Sequence, residues 1–321
     1  MGRIRKVGLV VKRDRPRAVR LARRTLALLR ASKVSVLADV DSGIDGAPSC
    51  TKDELVRQAD LIVVLGGDGT LLSMARAVGD LGVPIMGVNL GGLGFLTATT
   101  LDELLPSLEA ALEGRMIVEE RLMLVARVVR KGAAVCEHMA LNDIVITKSA
   151  MSRIISLAVS VEGHFATAYR ADGLIISTAT GSTAYSLSAG GPIVAPTVDA
   201  IVLTPICSHT LTNRPIVLPA SHRIEVTIQS DQEIMLTVDG QVGVGLRERD
   251  VVEISKAAAH TRLIRAARSA STHGPNARIC SDSYVRPVST DTWRAVASVA
   301  SSDAIRLFPA PASASTATAL P

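Results

Sequence analysis

The sequence predicts an α/β amino-terminal domain with a doubly wound parallel sheet, followed by a β-rich, sandwich-like domain. In the first third of the chain, short apolar runs alternate with helical stretches, which is the rhythm of βαβ units. From about residue 119 the pattern changes to short β-rich runs, several of which alternate apolar and polar residues. A chain of 321 residues, 48% of them apolar, is long enough to build two cores.

The first domain, predicted at residues 1–118, carries clear strand and helix signals. Pro16 begins an amphipathic helix. Thr51 and Glu54 have the spacing of a capping box, which predicts that a second helix begins there. A third helix is predicted at residues 71–78, and apolar strands are predicted at residues 6–11, 34–40, 61–65 and 83–88.

The second domain, predicted at residues 119–268, consists mainly of strands. One helical segment, residues 182–189, interrupts them. The strands are predicted at residues 122–129, 144–148, 154–161, 174–177, 201–205, 224–229, 234–239 and 251–255.

The end of the chain, residues 269–321, has an aberrant composition. Lys and Glu do not occur after Lys256, and Ser, Thr, Ala and Pro dominate. Two interpretations stay open: a disordered extension, or an out-of-frame reading of a GC-rich gene. Either one predicts that this tail contributes little to the folded core.

Composition also limits the classes of partner. Lys and Arg number 35 against 30 Asp and Glu, a modest excess that favours anionic ligands. Aromatic residues make up only 2% of the chain, which argues against nucleic acid. The four cysteines are scattered, and neither a signal peptide nor a membrane span is apparent. We expect a cytoplasmic protein that binds neither nucleic acid nor membranes.

A glycine-rich turn, Gly66-Gly67-Asp68-Gly69-Thr70, lies between a buried strand and a helix. Glycines at such a turn allow backbone N–H groups to approach a phosphate, and the helix amino terminus adds positive potential. A carboxylate there would repel phosphate unless it acts on a proton or a metal ion. The plainer interpretation is that Asp68 caps the following helix.

Two further segments combine polar groups with strands. Asn142-Asp143 places an amide and a carboxylate at the start of a strand, although an isolated pair of this kind is more often an Asx turn. Asp172 leads a strand into the hydroxyl-rich run TGSTAYSLSAGGP, which begins at Thr180. Its hydroxyl and N–H groups suit a phosphate or ribose, and Tyr185 can stack on a base.

Taken in order, these segments resemble bacterial NAD kinases over about residues 7–265. The run TGSTAYSLSAGGPI is specific to that family, whereas the turn GGDGT also occurs in diacylglycerol and sphingosine kinases. Ala179 stands where the family usually has proline, and Ser208 where proline usually precedes the histidine. The aromatic closing segment typical of the family is not found after Arg265.

The resemblance implies transfer of the terminal phosphoryl group of ATP, or of polyphosphate, to the 2′-hydroxyl of NAD, with a divalent metal such as Mg²⁺ and a homodimer or homotetramer. Asp68 would accept the proton of the hydroxyl. No metal ligand is assigned in the chain. Asn142 and Asp143 would bind the adenosine or the nicotinamide end of the nucleotide, and Arg153 and Arg170 would serve bound phosphates, in part across a subunit boundary. The other implied nucleotide-binding residues are Gly69, Phe95, Asp172, Thr183, Ala184, Tyr185, Ser186, Leu187, Ser188 and Gln241.

Two alternatives to this function stay open from the sequence. One is a lipid kinase that shares the GGDGT turn. The other is a non-catalytic NAD(P)-binding protein that has lost activity through its aberrant carboxyl end.

Overall fold

The computed structural model describes residues 3–12, 16–90, 94–97, 99–149, 152–210 and 213–265. The tail at residues 269–321 lies outside the described residues. Both interpretations of the tail therefore stay predictions. The amino-terminal part alternates strands and helices as predicted: β1 (Lys6–Val11), α1 (Pro16–Ala31), β2 (Ser35–Asp39), β3 (Ser49–Cys50), α2 (Lys52–Gln58), β4 (Leu61–Gly66), α3 (Asp68–Val78), β5 (Ile85–Asn89) and α4 (Leu104–Leu112).

Local signals in the sequence account for these elements. The hydroxyl of Thr51 accepts the N–H of Glu54, and the Glu54 carboxylate accepts the N–H of Thr51, so the capping box at the start of α2 is confirmed. Every residue of β4 is buried, because a central parallel strand is covered on both faces.

The parallel sheet is doubly wound. Strands β3, β2, β1, β4 and β5 lie side by side in that order, and all their pairings are parallel. Apolar residues of α1 and α4, including Leu29 and Leu108, pack on one face of the sheet. Residues of α2 and α3, including Leu55 and Met74, pack on the other.

The second part is almost entirely strand. A 3₁₀ turn at Thr180–Thr183 precedes the short helix α5 (Tyr185–Ser188). The strands are β6 (Ile117–Arg130), β7 (Ala133–Ala140), β8 (Asp143–Lys148), β9 (Ile155–Val161), β10 (His164–Ala171), β11 (Gly173–Thr178), β12 (Ala200–Ile206), β13 (Ile216–Pro219), β14 (Ile224–Ile228), β15 (Ile234–Val238), β16 (Val242–Leu246) and β17 (Val251–Arg265).

Two sheets pack face to face around the second core. One is six-stranded, in the order β13-β12-β11-β8-β15-β16, and every pairing in it is antiparallel. Its buried residues, such as Ile146 and Leu236, meet those of β6, β9, β14 and β17, such as Leu157 and Ile254. This arrangement confirms the predicted sandwich.

Strand β17 joins the two parts, because it pairs with β6 and β14 in the sandwich and then reaches the parallel sheet, where Leu263 lies beside Ile85 of β5. The predicted strand at residues 251–255 was therefore too short. The boundary predicted at residue 118 falls inside β6, and it stays a prediction. Of the helices in the described part of the chain, none has the length and apolar character needed to cross a membrane.

Candidate active site

The glycine turn lies at the carboxyl edge of the parallel sheet, between β4 and α3. The helix is capped by Gly67, and the Asp68 side chain makes no capping hydrogen bond, so the capping interpretation is wrong. The N–H groups in the first turn of a helix have no partner within the helix. Gly67 and Gly69 are exposed, so this turn presents its backbone to an incoming anion.

The Asp68 carboxylate accepts hydrogen bonds from a loop that follows β5. Its Oδ1 atom accepts the N–H of Thr97 at 3.1 Å, the hydroxyl of Thr97 at 3.0 Å and the N–H of Leu96 at 3.4 Å. Among the described residues, its Oδ2 atom accepts only the N–H of Phe95, at 3.0 Å. Since each carboxylate oxygen has about two acceptor positions, Oδ2 keeps one for another donor.

The Asn142-Asp143 turn is held by a carboxylate from the end of β15. Oδ1 of Asp239 accepts the N–H of Asn142 at 2.8 Å and that of Asp143 at 3.2 Å, while Oδ2 accepts the N–H of Leu141 at 3.2 Å. The side-chain oxygen of Asn142 is buried and has no hydrogen-bond partner in the part of the chain that the structure describes. A buried acceptor without a partner is costly, and a ligand that donates a hydrogen bond here would remove that cost.

Asp143 is buried, at 5% exposure. Burial, and secondarily the neighbouring Asp239, raise the pKa of Asp143 to about 7. Its carboxyl group is therefore about half protonated near neutral pH. The protonated form can both donate and accept hydrogen bonds, whereas the ionised form only accepts them.

The run that begins at Thr180 packs directly against this turn. A Cβ atom on Gly181 would lie 2.0 Å from the carbonyl oxygen of Asn142, so only glycine allows this approach. The hydroxyl of Thr178 bridges the two segments, donating to Leu141 O at 2.7 Å and accepting from Gly181 N at 2.9 Å. The hydroxyl-rich segment and the Asn142-Asp143 turn thus form one continuous surface.

We expect Gly181→Ala to destabilise the fold by about 1–3 kcal/mol, because its methyl group meets backbone that cannot yield easily. It should also displace the Asn142-Asp143 turn, since Asn142 must move. Chemical denaturation measures the loss of stability. Gly245→Ala is the matched control, because a Cβ atom there meets nothing within 4 Å. Equal stability of the two variants would contradict the prediction.

The residues of the predicted nucleotide segment divide into buried and exposed ones. The Ser186 hydroxyl is buried and bonds to Thr204 at 2.9 Å, so its side chain serves packing. Tyr185 and Leu187 are exposed, as is Phe95 beside Asp68. Thr183 and Ala184 are half-buried, and Ser188 is exposed. The predicted helix at residues 182–189 is broken at Ala184, whose ψ of −127° is not helical.

Three predicted site residues lie at the other end of the sandwich. Asp172 faces Lys148 at the far end of β8, with 3.7 Å between carboxylate and ammonium. Arg170 is exposed near it, and its carbonyl accepts the N–H of His209. Arg153 is exposed just before β9. The register of β8 with β11 puts this end about 13 Å from Asp143.

Ala179 and Ser208, where the family usually has proline, both have defined positions in the structure. Ala179 is buried with φ −56°, a value that proline also adopts. Ser208 Oγ accepts a hydrogen bond from the Asn213 amide at 2.8 Å. The structure gives no sign that either substitution removes a group from the site.

Three residues in contact with the candidate site were not predicted from the sequence: Arg76, Thr97 and Asp239. Arg76 Nη1 lies 2.8 Å from Asp239 Oδ2, and its Nη2 donates to Gln241 Oε1. Gln241 Nε2 in turn donates to Gly69 O at 2.7 Å. In the sequence, Arg76 is only a basic residue in the last turn of α3, and Asp239-Gly240 alone is a turn signal.

Among the described residues, no group of three or more His, Cys, Asp or Glu side chains is placed to hold a metal ion. Mg²⁺ commonly keeps several waters and binds through substrate phosphates with one or two carboxylates. Such binding does not require a cluster of this size.

Comparison with known protein families gives two matches along the chain. The family model of the ATP-NAD kinase N-terminal domain matches residues 7–116, and that of the ATP-NAD kinase C-terminal domain matches residues 141–266. Together these ranges include the glycine turn, the Asn142-Asp143 turn and the hydroxyl-rich segment.

Relatives and solved structures point the same way. An NAD kinase from Geotalea daltonii is 48% identical over 265 residues, 82% of this chain and 93% of the relative. One from Geobacter sulfurreducens is 48% identical over 264 residues, 81% and 93% of the two chains. A yeast NADH kinase complexed with NADH has a TM-score of 0.78 at 27% identity, covering 89% of this chain and 91% of that one. An Archaeoglobus fulgidus NAD kinase in complex with ATP has a TM-score of 0.66 at 27% identity, covering 82% and 94%.

Proposed function

Since this chain belongs to the ATP-NAD kinase family and is an NAD kinase, we propose that Asp68 accepts the proton of the 2′-hydroxyl of NAD as that oxygen attacks the donor phosphorus. A secondary hydroxyl is a weak nucleophile until its proton is removed, which a positioned carboxylate does. The observation that carries the proposal is the remaining acceptor position on Oδ2 of Asp68, whose Oδ1 is occupied by the loop.

The Asn142-Asp143 turn binds the adenosine part of NAD in this proposal. The unpartnered oxygen of Asn142 accepts a hydrogen bond from the ligand, and exposed Tyr185 offers a flat face to a base. Thr183, Ala184, Leu187 and Ser188 line the same segment, and buried Ser186 contributes its position in the chain rather than its hydroxyl. Gln241 acts through Gly69, whose carbonyl it binds.

The donor is ATP, or polyphosphate, bound at the glycine turn. Phosphoryl transfer depends mainly on positioning and on neutralising charge, and the exposed backbone of Gly67 and Gly69 supplies N–H groups for the phosphates. A divalent metal such as Mg²⁺, held mainly by the donor phosphates, would neutralise charge on their oxygens. No residue of this chain is assigned to hold the metal.

A homodimer or homotetramer completes the proposed site. Within one chain, Arg153, Arg170 and Asp172 lie at the end of the sandwich away from Asn142. A second copy can place these residues beside the nucleotide of its neighbour, where the arginines serve its phosphates. The cysteines Cys50, Cys136 and Cys207 are free, which fits a reducing compartment such as the cytoplasm.

The acceptor group provides the test of this proposal. We expect purified protein to phosphorylate NAD with ATP and Mg²⁺, and to leave 2′-deoxy-NAD unmodified because the attacking oxygen is missing. Product is measured by enzymatic detection of NADP, with polyphosphate as the donor in a parallel reaction. A vesicle of diacylglycerol or sphingosine serves as the control acceptor.

Transfer of the terminal phosphate of radiolabelled ATP to the lipid, but not to NAD, would overturn the proposal in favour of a lipid kinase. NADP binding without any turnover would favour a non-catalytic NAD(P)-binding protein.

A further inference from the structure

Arg76 connects helix α3 with the second domain. It lies eight residues after Asp68 in the same helix, and its side chain is 15% exposed. One guanidinium nitrogen forms an ion pair with Asp239, and the other donates to Gln241. The planar guanidinium group thus binds two partners that the turn after β15 supplies.

Each of these partners is bonded to a different part of the candidate site. The Asp239 carboxylate, whose side chain has no exposed surface, accepts the N–H groups of the Asn142-Asp143 turn. The Gln241 amide donates to the carbonyl of Gly69, which follows Asp68. One arginine therefore lies between the proposed proton acceptor and the proposed adenosine site.

We propose that Arg76 is a positioning residue for phosphoryl transfer, which fixes the Asn142-Asp143 turn relative to the helix turn that carries Asp68. It acts through Asp239 and Gln241 and does not itself touch substrate. The proposal rests on the assignment of Asp68 and the Asn142-Asp143 turn to the active site.

The physical reason is that the two groups belong to different sheets. Asp68 follows a strand of the parallel sheet, whereas Asn142 precedes a strand of the six-stranded sheet. A misplacement of about 1 Å between reacting groups can lower a rate about 100-fold. A bidentate arginine restricts such a movement more than a flexible lysine ammonium does.

The choice of arginine also has an electrostatic reason. A buried carboxylate needs a counter-charge, since removing one partner of a buried pair leaves a charge without compensation. Loss of Arg76 therefore affects folding as well as positioning. The test must separate these two effects.

A second arginine–aspartate pair provides a matched control. Arg130 binds Asp250 through two hydrogen bonds of 2.9 and 2.7 Å, and the Asp250 side chain is 1% exposed. This pair joins β6 to the turn before β17, and none of its recorded bonds reaches Asp68, Asn142 or Asp239. It has the same chemistry and similar burial outside the candidate site.

The experiment compares Arg76→Met, Arg76→Lys and Arg130→Met at a temperature where circular dichroism shows each variant folded. We expect Arg76→Met to lower kcat at saturating NAD by about 10- to 100-fold. Arg130→Met should lower the melting temperature by a similar amount and keep the wild-type kcat. Arg76→Lys should recover the melting temperature, because it restores the charge, but not kcat, because one ammonium cannot replace the two-pronged contact.

An Arg76→Met variant with the wild-type kcat, or an Arg130→Met variant with an equal loss of kcat, would overturn the proposal. If Arg76→Met does not fold, Gln241→Leu replaces it, since this residue is exposed and its side chain links Arg76 to the carbonyl of Gly69 within the described residues. Wild-type kcat in a folded Gln241→Leu would then overturn the positioning role. Failure of the wild-type protein to phosphorylate NAD would instead contradict the proposed function.

Discussion

Asp68→Asn is expected to lower the turnover of NAD by about 10²–10⁴-fold, the usual contribution of a general base, while NAD still binds. The amide oxygen of asparagine can replace Oδ1 toward Thr97, but its NH₂ group cannot accept a proton in place of Oδ2. Steady-state kinetics give kcat, and calorimetric titration gives the affinity for NAD.

The control for this prediction separates proton transfer from loop positioning, because Asp68 also holds the loop at Phe95–Thr97. Thr97→Val removes only the hydroxyl that donates to Oδ1 at 3.0 Å and leaves Oδ2 unchanged. We expect a smaller loss of kcat for this variant than for Asp68→Asn, because it removes one hydrogen bond to a charged group, which contributes about 1.5–3 kcal/mol, and keeps the carboxylate that accepts the proton. Near wild-type turnover of Asp68→Asn would exclude Asp68 as the base.

The second large effect is expected in the pH dependence of stability. Burial, and secondarily Asp239, raise the pKa of Asp143 from 3.8 to about 7 in the folded protein. The folded state therefore holds this proton more tightly than the unfolded state. The stability contribution of Asp143 is fully present below the unfolded value of 3.8 and is lost as the pH rises through about 7.

Each unit of pKa difference corresponds to about 1.4 kcal/mol, so the whole contribution is about 4 kcal/mol. Asp143→Asn keeps a neutral side chain at every pH. The quantity to compare is the free energy of unfolding of Asp143→Asn minus that of the wild type. We expect this difference to be about 3 kcal/mol larger at pH about 8.5 than at pH about 4.5. Urea denaturation at a series of pH values measures this difference.

For Asp250→Asn, we expect the difference in free energy of unfolding from the wild type to change with pH in the opposite direction. Burial raises the pKa of Asp250, but hydrogen bonds from Arg130 and from the backbone of Arg247 outweigh burial, and its pKa is lowered overall. Its carboxylate therefore stabilises the fold above the unfolded pKa, and that contribution is lost as the pH falls through the folded pKa. A stability difference between wild type and Asp143→Asn that does not change with pH would contradict the raised pKa of Asp143.

The sequence by itself determined the elements whose signals lie within a few consecutive residues of the chain. The capping box at Thr51 and Glu54 acts over three residues, and the apolar run of β4 predicts a buried strand from its own composition. The glycine turn is equally local, since strand, turn and helix follow one another. These signals were sufficient for the fold class and, together with the resemblance to NAD kinases, for the family.

Strands with exposed or charged residues were predicted less well. The residues of β10 are mostly exposed, so the strand lacked the apolar alternation that reveals a buried face. The part of β17 beyond the predicted end at residue 255 contains Lys256, His260 and Arg262, yet after a register shift between Lys256 and His260 it stays paired with β6 as far as Arg265. Backbone pairing with a neighbouring strand kept these residues in the sheet, and no property of the segment alone predicts that.

Only the tertiary structure decided which polar groups belong to the site. Arg76 and Asp239 are 163 residues apart in the chain, and Gly181 reaches Asn142 only because β8 and β11 pair side by side. The same packing buries the hydroxyl of Ser186 against Thr204 and places Asp172 at the far end of the sandwich. The physical reason is that a side chain's chemistry is local, whereas its burial, its partner and its pKa depend on the groups that folding places around it.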